Sequence, residues 1–209
     1  MSSHNIKAVL FDLDGVLVDA REWHFDALNQ ALEVFGYKIT REEHESFYNG
    51  LPTFKKLEKL SEEKGLPASL HQLIYDLKQQ HTKRSLHGNT RPSFEKQLML
   101  KRLKNAGLKL AVCSNSIKET VDVMLENALI KDYFDLLLSN QDVKQNKPHP
   151  EIYLTAMERL GVLPEQTIIV EDAPHGVAAA KASGAKVIVV DNANDVNFYI
   201  FKDYLSHLL

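Results

Sequence analysis

The sequence holds a single cysteine, Cys113, in 209 residues. An internal disulfide is therefore excluded, and the chain suits a reducing compartment. Basic residues are not in excess. Lys and Arg number 25 against 28 Asp and Glu, for a formal net charge of −3. Without a basic stripe, nucleic acid is not an expected partner. No apolar run reaches roughly 18 residues, so no membrane span is expected. Met1-Ser2-Ser3-His4-Asn5 lacks the basic, apolar and small-residue sections of a signal peptide. A cytoplasmic protein is expected. There is no internal repeat and no low-complexity segment. A chain of this length buries roughly 70% of its unfolded surface, so folding requires neither metal nor disulfide.

What is present begins with the apolar run Ile6-Lys7-Ala8-Val9-Leu10-Phe11. A run of this kind reads as a buried parallel strand. It ends in Asp12-Leu13-Asp14-Gly15, two acids followed by a residue that lets the chain turn sharply. Trp23, Ala27, Leu28, Ala31, Leu32 and Phe35 then recur at helical spacing, with Gly36 just past the helix end. From Thr40 to about His87 the sequence stays helical and charged, punctuated at Asn49-Gly50-Leu51-Pro52 and Gly65-Leu66-Pro67.

After Gly88, strands and helices alternate. Helices are expected over 94–106, with Phe94, Leu98 and Leu103 on one face, and over 117–128, with Ser116 as N-cap. Two more are expected over 151–160 and 177–182. A final helix would carry Phe198, Phe201, Leu205 and Leu208. Strands are expected over 109–113, 134–138, 167–170 and 186–190. This alternation predicts an α/β fold with a Rossmann-like, doubly wound parallel sheet, interrupted by an all-helical insert. Residues 1–19 and 89–209 would form the core, and 20–88 the insert.

In an open α/β sheet the ligand site lies beyond the carboxyl ends of the strands. The strands here end in Asp12 and Asp14, in Ser114-Asn115-Ser116, in Ser139-Asn140-Gln141-Asp142 with Lys147 following, and in Glu171-Asp172. The acids Asp12, Asp14, Glu171 and Asp172 would repel one another unless a cation sat among them, and hard oxygen ligands favour Mg²⁺. A serine hydroxyl, helix-start N–H groups and a lysine cradle an anion. A carboxylate can attack phosphorus while a second carboxyl moves the proton.

These segments resemble those of the haloacid dehalogenase-like hydrolase superfamily. Asp12-Leu13-Asp14-Gly15-Val16 is similar to its first motif and Ser114-Asn115 to its second. Lys147-Pro148-His149-Pro150 is similar to the third, and Glu171-Asp172-Ala173-Pro174 to the fourth. The resemblance implies that Asp12 is the nucleophile and a Mg²⁺ ligand. It implies that Asp14 is the general acid/base and binds Mg²⁺ through its backbone carbonyl. Asp172 and Glu171 would be Mg²⁺ ligands, directly or through water. Ser114 and Lys147 would hold the phosphoryl group, with Asn115 adding its backbone N–H. The helical insert would be a cap that closes over a small phosphorylated substrate.

Within the superfamily the chain is similar to the β-phosphoglucomutase and sugar-phosphatase branch. His24 falls where the mutase carries a cap-hinge histidine. Thr53 stands where the mutase carries an arginine for a second phosphate, and Lys55 and Lys56 follow it. Asn146 replaces the glycine usual before the third motif's lysine, and Ala173 replaces a common serine or threonine. Trp23, His24, Tyr48, Asn49, Thr53 and Lys83 are the substrate-reading candidates of the cap. The expected activity is Mg²⁺-dependent hydrolysis of a sugar or polyol phosphate through an aspartyl-phosphate. A phosphomutase and a non-catalytic phosphate-sensing protein are the alternatives. The sequence leaves oligomeric state open, and a monomer is compatible with it.

Overall fold

In a computed structural model of the chain, the described residues are 6–48 and 50–205, without the side chains of 87–89. Five parallel strands form one sheet in the order β3-β2-β1-β4-β5. They are β1 (Ala8–Phe11), β2 (Lys109–Cys113), β3 (Leu136–Leu138), β4 (Thr167–Glu171) and β5 (Lys186–Val189). The central strand β1 is wholly buried, which accounts for its unbroken apolar run. Phe11 pairs in register with Val112 on one side and Val170 on the other. The next residue on each strand is then Asp12, Cys113 or Glu171. Parallel register thus delivers Asp12 and Glu171 to the same edge.

The chain divides into two compact units, Met1–Asp19 with Thr90–Leu209, and Ala20–Asn89. In the first, helices α5 (Phe94–Asn105), α6 (Lys118–Asn127), α7 (Glu151–Leu160) and α8 (Pro174–Ala182) alternate with the strands. On one face of the sheet Ala8, Leu10, Ala111 and Ile169 pack with Ile152, Ala156 and Met157 of α7 and Ala179 and Ala180 of α8. The alternation of strand side chains sends Phe11 to the other face, where its ring meets those of Phe134 and Phe201 edge-on.

The second unit contains α1 (Arg21–Glu33), α2 (Arg41–Glu43), a π-helical turn (His44–Tyr48), α3 (Thr53–Lys64) and α4 (His71–Asn89). Its core is Leu28, Ala31, Leu32, Ile39, Tyr48, Leu57, Leu60, Leu66 and Ile74. Thr40 and Glu43 form a reciprocal capping box at the start of α2. Among the described residues, no helix is long and apolar enough to cross a membrane.

Some local expectations fail. Phe94 is 77% exposed and Leu98 44%, whereas Met99, Leu100 and Leu103 are buried. The buried face of α5, with Lys96, Met99, Leu100 and Leu103, lies on the side of the helix opposite Phe94 and Leu98. Ile117, not Ser116, occupies the cap position of α6. The expected final helix is a short 3₁₀ turn, Phe198–Phe201, and Leu208 lies outside the described residues.

Candidate active site

The site is built on three strand ends and one loop. Asp12 follows β1 and is buried. Gly15, at φ +89°, turns the chain behind it, and its N–H donates to the Val18 carbonyl at 2.7 Å. A Cβ at Gly15 would lie 2.1 Å from Asp172 Oδ2, so only glycine lets these two loops approach so closely.

Lys147 is buried in the centre. Its Nζ donates to Asp12 Oδ1 and to Glu171 Oε1, each at 2.6 Å. Asn115 holds this loop from β2, accepting from the Lys147 backbone N–H at 3.2 Å and donating to its carbonyl at 3.4 Å. Burial works against the ammonium, but Asp12 and Glu171 outweigh it and hold Lys147 above the ordinary lysine value. Burial is also the largest influence on Asp12 and lifts its carboxyl well above the usual range. Lys147 opposes this lift, and the neighbouring acids Glu171, Asp172 and Asp14 add to it.

Glu171 is the most enclosed acid. Besides Lys147, its Oε1 accepts from the Tyr153 hydroxyl at 2.5 Å, and its Oε2 accepts from the Asp172 N–H at 3.1 Å. Asp14 is half-buried. Its Oδ2 accepts from Ser116 Oγ at 3.0 Å and from Ser114 Oγ at 3.3 Å. Ser114 Oγ in turn accepts from the Ser116 N–H at 3.0 Å.

The donor set fits a hard divalent cation. Asp12, Glu171 and Asp172 each offer a carboxylate oxygen, all within 4.8 Å of one another. A doubly charged ion there would also reverse the lift that crowding gives Asp12. The fit is uneven. Glu171 spends Oε1 on Lys147 and Tyr153, whereas Asp12 and Asp172 are the better placed to face an ion.

This arrangement of a buried aspartate, a lysine and paired acids is accompanied by likeness across nearly the whole chain. A model of the haloacid dehalogenase-like hydrolase family matches residues 9–190. The chain belongs to that family. It is 32% identical over 200 residues to the phosphorylated carbohydrates phosphatase of Thermotoga maritima, covering 91% of this chain and 88% of the relative. Its fold is similar to that of β-phosphoglucomutase from Clostridium difficile, with TM-score 0.83, 25% identity and coverage of 97% and 99%. It is also similar to CbbY from Rhodobacter sphaeroides, solved as a variant with xylulose-(1,5)bisphosphate. That match has TM-score 0.80, 26% identity and coverage of 92% and 90%. These likenesses fall in the β-phosphoglucomutase and sugar-phosphatase branch expected from the motifs.

Of the core residues singled out in the sequence, Asp14 and Ser114 form one hydrogen-bonded pair with Ser116, and Asp12, Asn115, Lys147 and Glu171 form an array centred on the lysine. Asp172 joins it through Glu171. The polar strand end Ser139–Asp142 supports the loop after β2, the Asn140 N–H donating to the Ser116 carbonyl at 3.1 Å. Asp142 closes its own turn by accepting from the Ser139 N–H and hydroxyl. The remaining candidates belong to the helical unit. His24 lies on α1, its Nδ1 3.3 Å from Lys78 Nζ. Thr53 opens α3. Tyr48 is fully buried and donates to Glu63 Oε2 at 2.7 Å, so it is a core residue of that unit. Asn49 lies outside the described residues.

Sequence reasoning missed Ser116 as a partner of Asp14, and Tyr153 and Gly176 as neighbours of Glu171. A Cβ at Gly176 would fall about 2 Å from the Glu171 carboxylate, its nearest atom being Oε1 at 1.9 Å. Helical glycine in the fourth motif was the available signal, since it gives up helix stability without a visible return.

Proposed function

We propose that this protein is a Mg²⁺-dependent phosphatase that hydrolyses a small sugar or polyol phosphate through an aspartyl-phosphate on Asp12. The observation that carries the reading is the buried Asp12–Lys147–Glu171 array beside Asp172. Asp12, Asp172 and the backbone carbonyl of Asp14 would hold the ion, with Glu171 contributing through water. When bound, Mg²⁺ supplies positive charge that neutralises the phosphoryl oxygens.

The chain's own residues account for the remaining chemistry. An Asp12 oxygen attacks phosphorus and the bond from phosphorus to the ester oxygen breaks. Asp14 gives its proton to the departing oxygen. Asp14 then takes a proton from water, whose oxygen attacks phosphorus and releases orthophosphate and the Asp12 carboxylate. Lys147 offsets charge throughout, the central task in a reaction whose uncatalysed rate is among the slowest known. Ser114 and the backbone N–H of Asn115 complete the phosphoryl cradle, with Ser114 turning from Asp14 to the substrate. The helical unit, with His24, Asn49 and Thr53, would read the leaving group. A relative named as a phosphorylated carbohydrates phosphatase and another solved with a bound sugar bisphosphate support the substrate class. A cytoplasmic location belongs to the same reading.

The likeness to β-phosphoglucomutase favours a second reading, isomerisation of a sugar phosphate. Thr53, in place of an arginine, weighs toward hydrolysis. A panel of sugar, polyol and nucleotide phosphates, assayed in Mg²⁺ for both phosphate and isomerised product, separates the two. Asp12→Asn should abolish both activities, and retained turnover would sink the nucleophile assignment. Chelation by EDTA should stop phosphate release and Mg²⁺ should restore it. Mg²⁺-dependent binding without turnover across the panel would mean a phosphate sensor instead.

A further inference from the structure

Tyr153 has no part in the steps above, yet it touches two of the residues around them. It lies on α7 and is fully buried. Its hydroxyl donates to Glu171 Oε1 at 2.5 Å, and its ring lies under Lys147, with Nζ 4.9 Å from the centroid. Oε1 is the same oxygen that accepts from Lys147 at 2.6 Å. On the other side, Oε2 accepts from the N–H groups of Asp172 and Ala173, at 3.1 and 3.4 Å. The backbone at Gly176 closes the remaining space. Glu171 is thereby confined from several directions, and among the described residues the phenol is the side-chain hydroxyl that confines it.

A buried lysine has three N–H donors in tetrahedral arrangement. Two of those on Lys147 go to Asp12 and Glu171, so the third points in a direction fixed by those two acceptors. If Glu171 moves, that direction moves with it. The phenol also shares the charge on Oε1, which keeps the ammonium from being drawn wholly to Glu171 and away from Asp12. Packing alone would be served as well by phenylalanine.

We propose that Tyr153 is a positioning residue: its hydroxyl fixes Glu171 and, through it, aims the Lys147 ammonium at the transferring phosphoryl group. The inference rests on the phosphatase reading of the same site. Tyr153 acts through Glu171 and touches no reacting atom.

The test compares wild type, Tyr153→Phe, Glu171→Gln and the double variant on the best substrate of the panel. Tyr153→Phe retains the ring and should fold normally. Its kcat should fall roughly 10- to 100-fold, the loss of one hydrogen bond to a charged group. KM should rise by less than kcat falls. In the Glu171→Gln background the same change should add little, because the hydroxyl acts only through the carboxylate. Binding of inorganic phosphate in Mg²⁺, followed by calorimetry, should weaken several-fold in Tyr153→Phe. Unchanged kcat and unchanged phosphate binding would overturn the role of the hydroxyl while leaving the phosphatase reading intact. Equal losses in both backgrounds that track a fall in Tm would make Tyr153 a packing residue. A wild type that releases no phosphate from any substrate would overturn the phosphatase reading itself. The phosphate-binding comparison would then decide the role of Tyr153, with equal or absent binding counting against it.

Discussion

The Lys147 ammonium lies 2.6 Å from Asp12 Oδ1, joining groups 135 positions apart in a buried ion pair. Lys147 also serves Glu171, so one cation balances two buried acids. Removing one partner of a buried pair costs about 3–5 kcal/mol, because the charge left behind has no compensation. Lys147→Met should therefore lower the unfolding free energy of the metal-free protein by an amount in that range. Added Mg²⁺ should stabilise the variant more than wild type, since the ion would take over the missing positive charge. Phosphate release should fall at least ~100-fold, as for loss of a preorganised charge at the transition state. Thermal unfolding with EDTA and with Mg²⁺ checks the first two points. Equal Tm values without metal would contradict this account of the pair.

Gly176 sets two effects of opposite sign against each other. Alanine is favoured over glycine by about 0.8–1.0 kcal/mol in a helix interior, an upper bound for Gly176, the third residue of α8. A Cβ here, however, would fall 1.9 Å from Glu171 Oε1. Such an overlap forces the carboxylate to move, and overpacking of this kind costs typically about 1–3 kcal/mol. The clash should win. Gly176→Ala should be less stable than wild type and should lose roughly 100-fold in kcat, since Glu171 and Lys147 shift together. A variant that gains stability and keeps its kcat would show that Glu171 has room to retreat without consequence.

The sequence made the sheet and its polar edge legible because both follow from strong, local patterns. A four-residue strand buried on every residue needs an unbroken apolar run, and the acids at its end stand out against that background. Parallel register then does the assembling, and it needs no further signal. The chemistry behind the first layer was less visible. Tyr153 and Ile152 sit side by side in α7 and both read as core, because nothing in a helical pattern marks a hydroxyl that finds a carboxylate. Ser116 reads as a cap because serines before helices usually cap them. Here its hydroxyl is spent on Asp14, and Ile117 takes the cap position. Phe94 misled for a different reason. An aromatic ring reads as core, but the buried side of α5 is that of Met99, Leu100 and Leu103.

In the helical unit, His44 predicts how stability depends on pH. The ring is buried and packs 5.1 Å from the Phe25 ring. Burial pulls its pKa down from 6.5 to about 4, aided by the nearby Lys56 and His24 and opposed by Glu22. In the unfolded chain it would take a proton near the ordinary value. Between those two values the unfolded state holds more protons, so stability rises with pH. The contribution is fully present above about 6.5 and is lost as pH falls toward 4. Carboxylates such as Glu43, held low chiefly by its hydrogen bond from Lys64, titrate below most of that window. Urea unfolding at a series of pH values from 7 to 5 should show a downward slope in wild type that is flattened in His44→Gln. Parallel slopes would place the ring's proton affinity at its ordinary value.

Asn29 predicts a stability effect that no pattern in α1 announces. It stands among Ala27, Leu28, Ala31 and Leu32, all buried, and is itself only 6% exposed. Its Nδ2 donates to the Ile39 carbonyl at 3.0 Å, and its Oδ1 accepts from the Ile39 N–H at 2.9 Å. One side chain thus satisfies both backbone groups of a fully buried residue, where the chain turns from α1 toward the Thr40 capping box. Asn29→Ala would leave that donor and that acceptor buried without partners, and each unsatisfied group costs about 1–3 kcal/mol. The expected loss is roughly 2–4 kcal/mol, at the upper end of single substitutions. It should be felt in the helical unit first. Amide exchange should quicken around Ile39 and Leu57, while the β1 and β4 amides keep their protection. A variant that unfolds with wild type would mean that Ile39 finds other partners. Exchange that quickens equally in the sheet would mean that the helical unit does not open independently of it.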